Sequence, residues 1–158
     1  MRLSTKGRYA VTAMLDLAIH HADGPVTLAD ISETQGISLS YLEQLFARLR
    51  KHNLVQGMRG PGGGYRLARL PEDISVAQVI DAIGEGIDVT MCGGSENCQD
   101  GERCLTHELW KKLGNEIFDF LNGITLASFL KRDRVQYVIR RHRSEIAVAS
   151  PGLSKTVA

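Results

Sequence analysis

A mainly α fold with a small β-hairpin wing, a winged helix-turn-helix followed by a long dimerisation helix, is what three features of this sequence predict. Apolar residues recur at helical spacing in three consecutive segments before residue 53. Two short extended runs then flank a glycine-rich turn. A later segment carries a seam of large apolar residues spaced three and four apart.

The first helix lies between Thr5 and Ala22, where Ala10, Met14, Leu15, Leu17 and Ala18 share a face and Asp23-Gly24-Pro25 stops the chain. Thr27 opens the second, with Asp30 as its capping-box partner and Leu28 and Ile31 as its apolar side, and Gln35-Gly36-Ile37 ends it. The third runs from about Ser38 to His52 on a stripe of Leu39, Leu42, Leu45, Phe46 and Leu49. Two short helices around a glycine-containing turn form a helix-turn-helix, whose second helix is shaped to enter a major groove. The wing follows as 54–59, Gly60-Pro61-Gly62-Gly63-Gly64 and 65–67. This loop is no nucleotide cradle: no Lys-Ser/Thr follows its glycines, G-x-G-x-x-G spacing is absent and no helix begins after it.

A fourth helix, about Val76 to Ile83, puts Val76, Val79, Ile80 and Ile83 on one side. Polar, glycine-rich loop follows, and from about Thr106 to Leu121 a longer helix carries Trp110, Leu113, Ile117, Phe120 and Ile124, a seam that suits packing on a second copy or on its own domain. The expected organisation is a winged helix-turn-helix over 1–83, a ligand-binding loop over 84–105, dimerisation helices over 106–132 and a mobile basic tail over 133–158.

Length and composition support one globular unit: 158 residues, 43% hydrophobic and 23% charged, are enough for a core and argue against wholesale disorder. No apolar run approaches a membrane span, and the opening residues lack the apolar stretch of a signal peptide, so a cytoplasmic protein without membrane partners is expected. The net charge of +1 conceals segregation, with residues 1–70 at +4, 71–130 at −8 and 131–158 at +5. A basic first half suggests that this half faces a polyanion, double-stranded DNA given the helix-turn-helix; a solvated surface explains the same charges.

With the third helix's apolar stripe inward, Ser40, Tyr41, Glu43, Gln44 and Arg48 face the groove. Gln44 suits adenine and Glu43 cytosine N4, although Glu43 could instead close a capping box on Ser40. Arg59, with Gly60, Pro61 and Gly62, forms a wing tip able to approach phosphate or a narrow minor groove, or leaves an ordinary solvated arginine.

All three cysteines fall within thirteen residues, with spacing C-x5-C-x5-C-x2-H from Cys92 through Cys98 and Cys104 to His107. An odd number of clustered cysteines is no disulfide scaffold. Thiolates and imidazole suit zinc or an iron-sulfur cluster, but the close cysteine pairs usual for zinc are missing. Ordinary buried cysteines would scatter through apolar stripes. His20 and His21, beside no cysteine, read as simple surface or core residues. No acid-base constellation accompanies the thiols, so a regulator is expected and no enzyme; an iron-sulfur electron carrier or enzyme, or a zinc-stabilised DNA-binding protein, is the rival.

Four stretches carry a resemblance: Met1-Arg2-Leu3-Ser4-Thr5-Lys6-Gly7-Arg8-Tyr9-Ala10, Ile37-Ser38-Leu39-Ser40-Tyr41-Leu42-Glu43-Gln44-Leu45-Phe46, Arg59-Gly60-Pro61-Gly62-Gly63-Gly64-Tyr65, and the three cysteines with Cys104-Leu105-Thr106-His107. Over about residues 1–130 the chain resembles the iron-sulfur cluster regulators, a family of bacterial winged-helix transcription factors. The resemblance implies a homodimeric repressor or activator with one 2Fe-2S cluster per subunit, held by Cys92, Cys98, Cys104 and His107, that controls cluster-assembly genes and receives its cluster from assembly proteins. Relatives in the wider family hold 4Fe-4S clusters with three cysteines, so the 2Fe-2S assignment follows from the resemblance and not from spacing. An imidazole in place of a fourth thiolate removes about one negative charge, which raises the potential and eases release of one iron.

Overall fold

The structure, a computed structural model, describes residues 4–149. Helices α1 (Thr5–Ile19), α2 (Leu28–Gln35) and α3 (Leu39–Lys51) are followed by strands β1 (Val55–Met58) and β2 (Gly64–Leu67), a 3-10 turn (Pro71–Asp73), and helices α4 (Val76–Ala82), α5 (His107–Asn122), α6 (Leu126–Leu130) and α7 (Asp133–Ala149). None of these helices is long and apolar enough to cross a membrane.

Local chemistry sets each boundary. Ser4 caps α1 by accepting from the Lys6 and Gly7 N–H groups, and its hydroxyl donates to Glu85 beyond α4. Thr27 and Asp30 form the expected capping box on α2. Ser38 caps α3 through the Tyr41 N–H, and Arg48, Arg50 and Lys51 sit in its last turn, where the helix dipole favours cations. The spacing of Leu42, Leu45, Phe46 and Leu49 turns four side chains into one core with Ala10, Ala13, Met14 and Leu17 of α1 and with Ile31 and Val79. Leu39, expected in this stripe, is instead 44% exposed, because it starts the helix one turn before the core begins. Asp16, nearly buried in α1, is met by Gln35 Nε2 at 2.7 Å and the Thr34 hydroxyl at 3.2 Å, which locks α2 against α1.

The wing is an antiparallel pair with Val55 opposite Leu67 and Met58 opposite Gly64. Its tip is a type II turn on Gly60-Pro61-Gly62-Gly63: the Gly63 N–H bonds to Gly60 O at 2.9 Å, and Gly62 takes the positive φ of +73° that this turn requires. Val26 adds one residue of a third strand, exchanging backbone bonds of 2.8 and 2.7 Å with Tyr65. That pairing brings Val26 O to 2.5 Å from where a side chain on Gly64 would begin, at a φ of +150°. Gly64→Ala is therefore expected to lower stability by about 1–3 kcal/mol for the backbone conformation alone, with more from the clash. Urea unfolding of the variant reads this directly, and an unchanged midpoint would mean that both Val26 and the backbone at Gly64 shift to accommodate the methyl group.

The chain leaves this core at Gly84 and returns after α5. Val76 N–H bonds Ile124 O and Leu126 N–H bonds Ile74 O, both at 2.9 Å, so that Leu126 is fully buried in the winged-helix core. The segment 106–132 thus divides: α6 belongs to the core, while α5 stands outside it. The expected mobile tail is corrected as well. Residues 133–149 form α7, whose Val135, Val138, Ile139 and His142 line a cleft with Leu15 and Ile19 of α1. The remainder of that segment, 150–158, lies outside the described residues.

Candidate metal centre and nucleic-acid interface

Three of the four expected ligands converge. Cys92 Sγ and Cys98 Sγ each lie 3.5 Å from His107 Nδ1, and the three donor atoms fall within 4.8 Å of one another. His107 is the first residue of α5 and only 1% exposed. Cys104 lies in the same loop with its sulfur 3.8 Å from the Thr106 hydroxyl, outside this trio, while its N–H donates to Cys98 Sγ at 3.1 Å.

The loop is shaped by short-range bonds. Asp88 accepts from the Thr90 N–H at 2.7 Å and the Thr90 hydroxyl at 2.6 Å, which hold its carboxyl below the usual range. Thr90 Oγ1 in turn accepts from the Gly94 N–H at 2.9 Å. Gln99 and Glu102 exchange backbone bonds of 3.0 and 2.8 Å. Gly114 of α5 is buried and packs on Val89 and on Ile87 O, seating the start of the loop against the helix.

The thiols are differentiated. Partial burial pushes the Cys92 thiol up, but the Thr90 hydroxyl, the Glu96 and Gly94 N–H groups and Cys98 outweigh it and bring it down to about 6. Cys104 is lowered, first by Cys98 and then by the Thr106 N–H and hydroxyl. At Cys98 the Cys104 N–H favours the thiolate, yet burial and the two neighbouring sulfurs prevail and raise it. Clustered sulfurs, two of them with depressed thiols, beside an imidazole whose buried Nε2 has no hydrogen-bond partner, are the donor chemistry that zinc or an iron-sulfur group requires. The residues fit such a group.

Over this trio lies a charged network invisible to sequence reasoning. Glu96 Oε2 accepts from Arg103 Nη2 at 2.6 Å and Nε at 2.9 Å, Lys111 Nζ reaches Glu96 Oε1 at 3.1 Å, and Arg103 Nη1 reaches Glu108 at 2.7 Å. Arg103 and Lys111 hold the Glu96 carboxyl below the usual range. Separations of five to fifteen residues, through turns, leave no periodic signal.

The expected DNA-facing residues separate into two groups. Ser40, Glu43 and Gln44 are exposed on α3, and Arg59, Gly60, Pro61 and Gly62 are exposed at the wing tip. Tyr41 is turned inward: its half-buried ring packs edge-on against Tyr9, with centroids 5.8 Å apart. The Arg48 guanidinium is engaged elsewhere, donating to Ile83 O at 2.8 Å and so satisfying the end of α4. Tyr41 is thus half-buried, while Arg48 stays exposed with one guanidinium nitrogen tied to Ile83 O. The capping box expected as the alternative for Glu43 is absent, because Ser38 caps α3 and the third helical position is Tyr41.

A winged helix with a Cys/His centre on the loop between its core and a long outer helix defines a metal-responsive DNA-binding regulator. The chain belongs to the Rrf2 family of iron-dependent transcriptional regulators, whose family model matches residues 3–132. It is 62% identical over 140 residues to a putative HTH-type transcriptional regulator, ORF2, of Azotobacter vinelandii, covering 89% of this chain and 85% of that protein. It is 60% identical over 144 residues to the HTH-type transcriptional regulator IscR of Erwinia tasmaniensis, covering 91% and 87%. Among solved structures it is similar to T. potens IscR, with a TM-score of 0.70 and 44% identity over 83% of this chain and 87% of that one.

Proposed function

We propose that this chain is a homodimeric, cytoplasmic transcription factor that reads iron-sulfur cluster supply and controls genes for cluster assembly, with a 2Fe-2S cluster received from assembly proteins as its ligand. The observation that carries the reading is the convergence of Cys92, Cys98 and His107 at the junction between a DNA-binding core and α5. Cys92, Cys98 and Cys104 would supply thiolates and His107 a nitrogen. When bound, a cluster supplies a ligand whose occupancy follows iron and sulfide availability.

The chain's own residues supply the coupling. His107 opens α5, and Gly114 about two turns further on seats that helix on Ile87 and Val89, so order in the loop and the position of α5 are linked. On either side of Gly114 the helix leaves Leu109, Trp110, Leu113 and Phe120 exposed. Such a face suits the same face of a second copy, and a two-fold dimer sets the spacing of two recognition helices.

Anaerobic purification followed by absorption, iron and sulfide assays, together with a promoter-fragment shift in low salt, tests the proposal. A coloured protein with equimolar iron and sulfide that shifts the fragment supports it; a colourless zinc protein, or a cluster protein that shifts nothing, overturns it.

Within this reading the wing contributes phosphate or minor-groove contact. Arg59 is exposed and makes no ion pair among the described residues. Arg59→Ala is expected to weaken DNA binding and to reduce the salt slope by about one counterion. Affinity titrations at several salt concentrations measure both, and an unchanged slope would return Arg59 to solvent.

A further inference from the structure

We infer that Glu96 is a positioning residue for His107, the carboxylate that receives the imidazole's outward N–H while the inward nitrogen faces the sulfurs. The inference rests on the reading of His107 as a metal ligand. His107 presents Nδ1 to Cys92 and Cys98 at 3.5 Å and Nε2 to the opposite side. Nε2 is buried and without a hydrogen-bond partner. The carboxylate facing it is that of Glu96, with Oε1 at 4.0 Å.

Three features mark this carboxylate as placed for that task. Glu96 holds a φ of +61°, a left-handed conformation in which glutamate is uncommon. Arg103 occupies Oε2 with two donors, whereas Oε1 has Lys111 at 3.1 Å and keeps acceptor capacity toward Nε2. Through Arg103 to Glu108 and directly through Lys111, the Glu96 carboxylate is also anchored on the first turns of α5.

The chemistry follows from imidazole's two nitrogens. A neutral ring carries one N–H, and the partner of one nitrogen decides the state of the other. A carboxylate beside Nε2 favours the proton there, which leaves the Nδ1 lone pair directed at the thiol side, as in the carboxylate–histidine–metal arrangements that orient ligands and raise their basicity. Closing 4.0 Å to a hydrogen bond takes a shift of roughly 1 Å, within reach of a side chain held only by its tip.

The test uses the full chain, purified with its cluster under anaerobic conditions, as wild type and as Glu96→Gln. Reconstituted iron and sulfide content is expected to be unchanged. Iron release to a chelator should be about 10–100-fold faster, and the reduction potential should move upward because the imidazole loses its anionic partner. Glu96→Gly, which suits the left-handed backbone better, should show the same upward potential and so separates the carboxylate from loop strain. Wild-type release and potential in Glu96→Gln overturn the inference, as does faster release with an unmoved potential, which would mark a role in loop structure alone. Full iron and sulfide in Cys92→Ala and Cys98→Ala would instead remove the metal-centre reading itself.

Discussion

Cys98→Ala is expected to abolish the visible absorption and the bound iron and sulfide, while the protein still unfolds cooperatively. Cys98 is the sulfur on which the site turns: it lies 3.5 Å from His107 Nδ1 and accepts the Cys104 N–H, so its loss removes a ligand and releases the segment that carries another. The fold is insulated from this change, because the core of α1, α3, the wing, α4 and α6 contains no residue between Ile83 and Leu126. Cys92→Ala and Cys104→Ala should behave alike. His107→Cys separates ligand chemistry from mere burial, since a fourth thiolate binds iron more strongly than imidazole; that variant should keep its cluster and release it more slowly. Iron and sulfide assays beside thermal melts decide the matter. Full cluster content in Cys98→Ala would remove the ligand assignment, and loss of the cooperative melt would show that the loop supports the core.

The winged helix was legible because its signals are local. A four-residue stripe on α3, a Thr27/Asp30 box and a Gly60-Pro61-Gly62-Gly63 turn each act within a few residues, and tertiary packing agrees with all of them. Side-chain surroundings were not legible where a distant partner decides. Arg48 has the outward position of a groove-reading side chain, but the carbonyl end of α4, thirty-five residues on, takes its guanidinium. Tyr41 is drawn inward by Tyr9 of α1. In α7 the pattern was present, with Val135, Val138 and Ile139 at helical spacing, and the run of charge at Arg140-Arg141-His142-Arg143 concealed it. The ligand spacing announced a centre without its geometry: Cys92, Cys98 and His107 meet, the Cys104 sulfur lies beside Cys98 and Thr106 but outside that trio, and the Glu96 network depends on turns that no periodicity encodes.

Glu43→Ala is expected to relax operator discrimination by about 1–3 kcal/mol at one base position, roughly tenfold or more, while leaving stability within about 0.5 kcal/mol. The competing role for this carboxylate was a capping box, which would have tied it to the start of α3. Ser38 occupies the cap and bonds the Tyr41 N–H at 3.3 Å, so Glu43 sits two positions beyond the box and makes no hydrogen bond or ion pair among the described residues. An unpaired anion on the helix expected to enter the groove is repelled by phosphates. On most sequences it therefore lowers affinity, and it is offset only where cytosine N4 donates to it. Removing it should raise affinity for sites without that cytosine and leave the favoured site equal or weaker, compressing the range. Competition binding on a small set of operator variants measures the compression, and a thermal melt of the same variant checks the fold. Unchanged relative affinities would place Glu43 outside the groove and leave Ser40 and Gln44, the other exposed polar residues of the same turns, to carry base recognition on α3.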